Sequence, residues 1–272
     1  MEYDHDYFKG KTAVITGGAG GIGRAIAEEL LESNVAKVVI ADINEARLTA
    51  TENELKEQYG DHIKGIMCDV TKKDQVNALI EMSAEYFDGS FDLLFNNAGA
   101  AFAGWFSEME DSDWQTAFDL NFWSALYGIQ AVLPIMLEQG RGQIVNIISG
   151  IALVPMANQT RYAATKAALN GLSLALRTEY WDDNIKISSA TPGTTATNIF
   201  AAGGMEEPKE TQTPRQSASR ILDGVVRNIR IIYGDDGDVS AGTYAFHPEA
   251  QDNYDEYLLK VTRARREGET AF

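Results

Sequence analysis

The sequence predicts a doubly wound α/β fold: one parallel sheet of about seven strands with helices on both faces. Three observations in the 272 residues support this. Short apolar runs recur without polar alternation, as strands covered on both faces require. Amphipathic stretches of helical length separate them, so consecutive strands are joined by crossovers and run parallel. A glycine-rich turn, TGGAGGIG (16–23), joins the first run to the first helix.

TAVIT (12–16) is the first strand and KVVIAD (37–42) the second. Between them, IGRAIAEELLESN places Ile22, Ala25, Ile26 and Leu30 on one helical face. IKGIMCDV (63–70), FDLLFNNAG (91–99), GQIVNIIS (142–149) and IKISSATPG (185–193) supply strands three to six, and the short RIIYG (230–234) a seventh. MANQTRYAATKAALNGLSLALR (156–177) carries a sustained helical pattern. AAGGMEEPKETQTP (201–214) is glycine-rich, charged and holds two prolines, which predicts a mobile excursion. The tail opens on GDDGDVSAG (234–242) and closes on YDEYLLKVTRARRE (254–267), a predicted terminal helix. The whole chain, 1–272, is expected to form one catalytic domain, with a substrate loop near 198–214 and a C-terminal tail at 235–272.

Forty acidic against 23 basic residues leave a net charge of −17. That disfavours nucleic acid, which needs a basic footprint, and an anionic membrane surface. Cys68 is the single cysteine, so an intrachain disulfide is excluded and nothing points to secretion. MEYDHDYFKG lacks the basic flank and apolar run of a signal peptide. No run approaches the ~18 to 20 uninterrupted apolar residues of a membrane span. A cytoplasmic location is expected, and no metal site.

The glycine turn fits three nucleotide-loop registers at once. Gly18, Gly20 and Gly23 give G-x-G-x-x-G; Gly17, Gly20 and Gly23 give T-G-x-x-G-x-x-G; Gly17, Gly21 and Gly23 give T-G-x-x-x-G-x-G. In each, bare backbone N–H groups and the positive end of a helix can meet a pyrophosphate. Asp42 ends the second strand, where an acid accepts hydrogen bonds from an adenosine ribose. A carboxylate there repels a 2′-phosphate, and neither Gly18 nor Ala19 offers a cation for one. NAD is therefore expected over NADP.

Tyr162 and Lys166 stand at i and i+4, on one helical face. A free phenol, with a pKa near 10, is a poor base at neutral pH. A nearby ammonium and an oxidised nicotinamide would favour phenolate. Reaching a pKa of ~7 takes about 4 kcal/mol, at ~1.4 kcal/mol per unit. The pair alone is unspecific, since Tyr7 and Lys11 repeat it in the polar N-terminal arm. Ser149, at the end of the fifth strand, corroborates the second pair. It can hold a substrate oxygen while the tyrosine exchanges a proton.

These residues resemble the short-chain dehydrogenase/reductase family, from about Lys9 to Phe200. TGGAGGIG fits its T-G-x-x-x-G-x-G register, and Asn96-Asn97-Ala98-Gly99 its NNAG motif. Asn121 stands where the family has its catalytic asparagine, and Pro192-Gly193 with Thr197 fits PG-x-x-x-T. The resemblance implies a Rossmann-type sheet and a tetrad of Asn121, Ser149, Tyr162 and Lys166. It places Gly17, Gly21, Ile22 and Gly23 on the pyrophosphate and Asp42 on the adenosine ribose. Asp69 and Val70 would flank the adenine, and Asn97, Ala98 and Gly99 the riboses. Pro192, Gly193, Thr195 and Thr197 would hold the nicotinamide carboxamide. Tyr162 would be the general acid/base, Lys166 would bond the nicotinamide ribose and lower the tyrosine pKa, and Asn121 would hold a water. It also implies a homo-oligomer, dimer or tetramer, paired through the helices spanning Asn121–Leu137 and Ala157–Tyr180.

Candidate pocket segments follow NNAG and separate the serine from the tyrosine. They supply Phe102 and Trp105, then Val154, Met156 and Gln159, with Ile199 and Phe200 from the excursion. None is cationic, so an anionic group near the reacting carbon is disfavoured. An apolar wall with few polar anchors suits a lipophilic secondary alcohol or ketone, with a hydroxysteroid the leading expectation. The rival readings are a reductase or dehydrogenase of a 3-oxoacyl thioester, sugar or polyol, and a nonenzymatic NAD-binding sensor.

Overall fold

A computed structural model describes residues 3–197 and 211–269. It contains a seven-stranded parallel sheet with strand order β3-β2-β1-β4-β5-β6-β7. The strands are β1 (Thr12–Thr16), β2 (Lys37–Asp42), β3 (Ile63–Met67), β4 (Leu93–Asn96), β5 (Gly142–Ile147), β6 (Ile185–Thr191) and β7 (Ile231–Tyr233). Val14 at the centre pairs with Val39 on one side and Leu94 on the other. The chain reverses its walk between β3 and β4, so loops diverge at the C-terminal edges of β1 and β4 and leave a crevice there.

Alternate strand residues point to opposite faces. Ile15 joins an apolar layer with Val38 and Phe95, while Val14 joins a second with Val39 and Leu94. Helices α1 (Gly21–Glu32) and α2 (Glu45–Tyr59) cover the first layer, through Ile26, Leu30 and Leu48. Helix α3 (Lys73–Tyr86) covers the second through Leu79 and Ile80. Both faces are thus dry, which explains strands that read as continuous apolar runs. Burying each such aliphatic side chain contributes about 1.5–3 kcal/mol.

Helix α4 (Asp111–Phe118) runs through a π-helical turn, Asp119–Trp123, into α5 (Ser124–Gln139). Among the described residues, the combined run Asp111–Gln139 is long and apolar enough, by length and composition, to cross a membrane. In this fold Ile129, Val132 and Met136 pack it against the second sheet layer, as in a core helix. Helix α6 (Thr160–Glu179) lies over β5 and β6. Helix α7 (Pro214–Val226) starts on a capping box between Thr213 and Gln216, and Ile221 and Leu222 pack it beside α1. The tail folds into α8 (Asp236–Tyr244) and α9 (Gln251–Arg266).

Five strands stop sooner than their sequence runs suggest. β3 ends at Met67, β4 at Asn96, β5 at Ile147, β6 at Thr191 and β7 at Tyr233. After β3, the Asp69 carboxylate accepts from the backbone and hydroxyl of Thr71 at 3.0 and 2.7 Å, closing a turn that a strand cannot continue through. The expected excursion near 198–214 lies largely outside the described residues. Gln212, near its end, pairs in parallel with Thr195.

Candidate active site

The glycine turn sits at the C-terminal edge of β1, and its crowding decides which glycine does what. A methyl carbon on Gly23 would fall 2.4 Å from the Gly17 carbonyl oxygen and 2.6 Å from Nδ2 of Asn97. Helix and turn therefore meet backbone to backbone. Asn97 locks this arrangement, donating to the carbonyls of Thr16 at 2.9 Å and Gly17 at 3.2 Å. Gly18 packs against Ile40 rather than facing the crevice. Gly21 has a φ of +54° and lies under Thr197, whose Cγ2 is 3.2 Å from where a Cβ would stand. Gly20 gives α1 no side-chain cap, so the first N–H groups stay open to an anion.

Asp42 is buried at the end of β2. Its Oδ1 accepts from the Asn44 backbone at 3.0 Å and from Nη2 of Arg47 at 2.9 Å. The Arg47 side chain also passes Gly20, with Cδ 3.5 Å from that residue's Cβ position. This cation, absent from the expected cofactor contacts, reaches back to Asp42 from the first turn of α2. Val70 is buried beyond β3, next to Asp69.

The proposed tetrad converges on the end of β5. Lys166 Nζ donates to the Ile147 carbonyl at 2.9 Å and stands 6.0 Å from the centre of the Tyr162 ring. Asn121, in the π-helical turn, clasps Ala100: Oδ1 accepts its N–H at 3.1 Å and Nδ2 donates to its carbonyl at 3.0 Å. A methyl on Gly99 would lie 2.8 Å from Asn121 Oδ1 and 3.3 Å from Lys166 Nζ, so all three share one small space. Ser149 follows β5 directly, and its hydroxyl accepts from the Ile151 backbone at 3.4 Å.

Burial sets the electrostatics of this pocket. The Tyr162 phenol is pushed up to about 12 by burial; hydrogen bonding to Ser149 pulls it down, and Asp238 pushes it further up. Burial pulls the Lys166 ammonium down to about 8. The expected depression of the phenol by Lys166 does not appear: burial sets the direction of its shift, and the group that lowers it is Ser149.

Beyond β6, a loop carries the remaining predicted cofactor contacts. The Pro192 carbonyl accepts from Thr195 Oγ1 at 3.0 Å and from Ser217 Oγ at 2.8 Å. The Gly193 N–H donates to Asp238 at 3.1 Å and the Thr194 N–H to Asp235 at 2.9 Å. This loop, with Ile22 from the glycine turn and Ser149 and Tyr162 from the tetrad, borders a cavity of about 640 Å³. Ile22, Gly193, Thr195 and Thr197 line one side, and Ser149 and Tyr162 lie at its base. Val154, Met156 and Gln159 line another wall, with Ile151.

Phe102 and Trp105 do not line the cavity. Phe102 packs under the Arg161 guanidinium at 5.2 Å, and Trp105 under that of Arg266 at 5.1 Å, so both serve loop packing. Ile199 and Phe200 lie outside the described residues. The wall that the sequence did not reveal comes from the tail, through Asp235, Asp238, Ala241, Tyr254 and Tyr257. Arg265 ties α9 to the loop before α6. It donates to the Ala157 carbonyl at 2.7 Å and to Gln159 Oε1 at 2.9 Å, and meets Met156 Sδ at 3.4 Å.

Comparison with known proteins agrees with this geometry. The sequence profile of the family described as short chain dehydrogenase matches residues 11–207. An uncharacterized oxidoreductase of Staphylococcus aureus (strain MW2) is 35% identical over 212 residues, 78% of this chain and 89% of that protein. The 3beta-hydroxysteroid dehydrogenase 2 of Eggerthella lenta is 36% identical over 203 residues, 74% of this chain and 76% of that one. A crystal structure of a short chain dehydrogenase/reductase from Burkholderia phymatum in complex with NAD superposes with a TM-score of 0.79, at 25% identity and 97% coverage of each chain. A short-chain dehydrogenase from Sphingobium yanoikuyae in complex with NADPH gives 0.77, at 25% identity and 96% coverage of each. With its parallel sheet, glycine turn and Ser149-Tyr162-Lys166 cluster, this chain belongs to the short-chain dehydrogenase/reductase family of oxidoreductases.

Proposed function

We propose that this protein oxidises a bulky, lipophilic secondary alcohol to a ketone with NAD, and that a hydroxysteroid or similar alicyclic compound is its substrate. The observation that carries this reading is the cavity of about 640 Å³, where Ser149 and Tyr162 meet the apolar Ile151, Val154 and Met156. The same cavity has no Lys or Arg among its described lining residues, which disfavours a phosphorylated acyl carrier. The hydroxysteroid dehydrogenase relative supports the substrate class; neighbours bound to NAD and to NADPH are equally similar, and the buried Asp42 supports NAD.

The residues present fit a dinucleotide. The uncapped start of α1 and the close approach of Gly17 and Gly23 make a bare-backbone cradle for a pyrophosphate. Asp42 would hold the adenosine ribose, and the Pro192–Thr197 loop the nicotinamide end. When bound, the nicotinamide supplies the hydride acceptor. Ser149 holds the substrate oxygen, and Tyr162 takes the hydroxyl proton at its phenol oxygen. Lys166, anchored on Ile147, would bond the nicotinamide ribose, and Asn121 fixes the strand-end loop at Ala100.

The charges at the ribose end favour a second reading for the cofactor alone. Arg47 partly neutralises Asp42, and a 2′-phosphate would find its cation there. We place the protein in the cytoplasm, as a single catalytic domain assembling into a dimer or tetramer through α5 and α6.

The test is NADH formation with a panel of alcohols, run beside Tyr162→Phe. Turnover of hydroxysteroids or alicyclic alcohols that the variant abolishes is expected. Activity confined to small polyols or sugars would overturn the substrate class, and unchanged turnover in the variant would remove the tyrosine from the reaction.

A further inference from the structure

The cavity wall contributed by the tail carries a carboxylate close to the reacting groups. Asp238, in the first turn of α8, is 9% exposed and lines the same cavity as Ser149 and Tyr162. Its Oδ2 accepts the Gly193 N–H at 3.1 Å. Its Oδ1 presses on Gly150, where a Cβ would fall 2.1 Å away. The carboxylate therefore sits between the loop after β6 and the residue that follows the catalytic serine. Asp235 stands behind it, accepting the Asp238 N–H at 2.7 Å and lining the cavity as well. Neither acid has a salt-bridge partner among the described residues.

Two nearby carboxylates without a cation are costly to bury unless hydrogen bonds meet them. Burial pushes Asp238 up to about 6 and Asp235 adds to it, against hydrogen bonds from Thr191, Gly193 and Gly234 that pull it down. Those three donors leave one of a carboxylate's roughly four acceptor sites for a donor on a ligand, whereas a second anion would be repelled. Tyr162 and the apolar Ile151, Val154 and Met156 also border the cavity, so it is polar at one place and greasy elsewhere. The family match ends at residue 207, so this acid belongs to a part of the chain that the match does not describe.

We propose that Asp238 is a specificity-determining residue that selects substrates bearing a hydrogen-bond donor, a hydroxyl or an ammonium, close to the carbinol being oxidised, and rejects those bearing an anion there. The proposal rests on the dehydrogenase reading above and narrows its substrate class to lipophilic diols and amino alcohols.

The experiment compares four matched rings: cyclohexanol, trans-1,2-cyclohexanediol, trans-2-aminocyclohexanol and 2-hydroxycyclohexanecarboxylate. Binding is measured by calorimetry to the full-length protein saturated with whichever of NADH or NADPH it binds, and kcat/KM with the oxidised cofactor. The wild-type protein is expected to favour the diol and amino alcohol over cyclohexanol by about tenfold, and to disfavour the carboxylate. Asp238→Asn and Asp238→Ala are expected to reduce that preference to within about twofold. No preference in the wild type, or an equal loss on all four rings in both variants, overturns the proposal. Binding is read without turnover, so a protein that binds the diol through Asp238 but oxidises none of the rings would refute the reaction and leave the inference standing.

Discussion

Lys166 Nζ donates to the backbone carbonyl of Ile147 at 2.9 Å, which fixes an ammonium at the end of β5 two residues before Ser149. A side chain that is buried and anchored on backbone cannot be replaced by shape alone. Lys166→Met and Tyr162→Phe are each expected to lower kcat/KM by about 10²–10⁴, the usual worth of positioned acid–base groups. Lys166→Arg should not rescue the first, because the planar guanidinium cannot occupy the same buried point. Steady-state kinetics with any alcohol that is turned over decides this.

The hydrogen bond between Ser149 and Tyr162 lowers a phenol that burial has raised to about 12. Alcohol oxidation needs the ionised phenol, so kcat/KM should climb with pH from neutrality into the alkaline range. Ser149→Ala removes the lowering partner and should move the break in that profile to higher pH, besides reducing the rate. A break at the same pH in both proteins would show that serine does not tune the tyrosine.

The buried Lys166 gives stability its own pH dependence. Its ordinary value of 10.5 falls to about 8 in the folded protein. Between those values the unfolded chain binds more protons than the folded one, so stability rises with pH across the window. Below about 8 the folded state bears the full cost of a buried ammonium. Lys166→Met should therefore stabilise most below pH 8, its advantage shrinking as pH approaches 10. Urea midpoints at pH 7 and pH 9.5 test the sign.

Arg47 and Asp42 set opposing charges on the ribose end of the crevice. Arg47 is 43% exposed but Asp42 only 4%, so Arg47→Ala leaves a buried carboxylate held by the Asn44 N–H alone and should lower the melting temperature. With NADP, kcat/KM should fall by about tenfold, since a 2′-phosphate would then meet Asp42 alone. With NAD the change should stay within about threefold. Equal losses on both cofactors would mean that Arg47 does not read the 2′ position.

Arg265 holds the Met156–Gln159 wall through three contacts from α9. Arg265→Ala should loosen that wall and raise the alcohol KM by about five- to tenfold while kcat changes far less. A fall confined to kcat would place its effect on the reacting groups instead.

Much of this architecture can be read from local residue order. All seven strands coincide with apolar runs, because a sheet covered on both faces leaves no polar alternation to confuse the pattern. Their ends cannot be read so well, since Asp69 turns the chain through a side-chain contact rather than a change in hydrophobicity. Tyr162, Lys166 and Ser149 are legible because one helix and one strand end bring them together. Arg47, Asp238 and Arg265 are not. Arg47 reaches back only five residues to Asp42, by a side-chain direction that residue order does not reveal, and the other two come from the far tail. The electrostatic sign at Tyr162 was also hidden, for burial depends on everything packed around the ring.

The tail forms one wall of the cavity, yet Ser149, Tyr162 and Lys166 all lie within the residues matched by the family. The cavity is thus walled from two pieces of one polypeptide, the segment between Ser149 and Tyr162 and the distant tail. Exchanging residues 235–266 with those of a relative is expected to change one wall of the cavity, and to reach Tyr162 as well through the loss or gain of the Asp238 carboxylate.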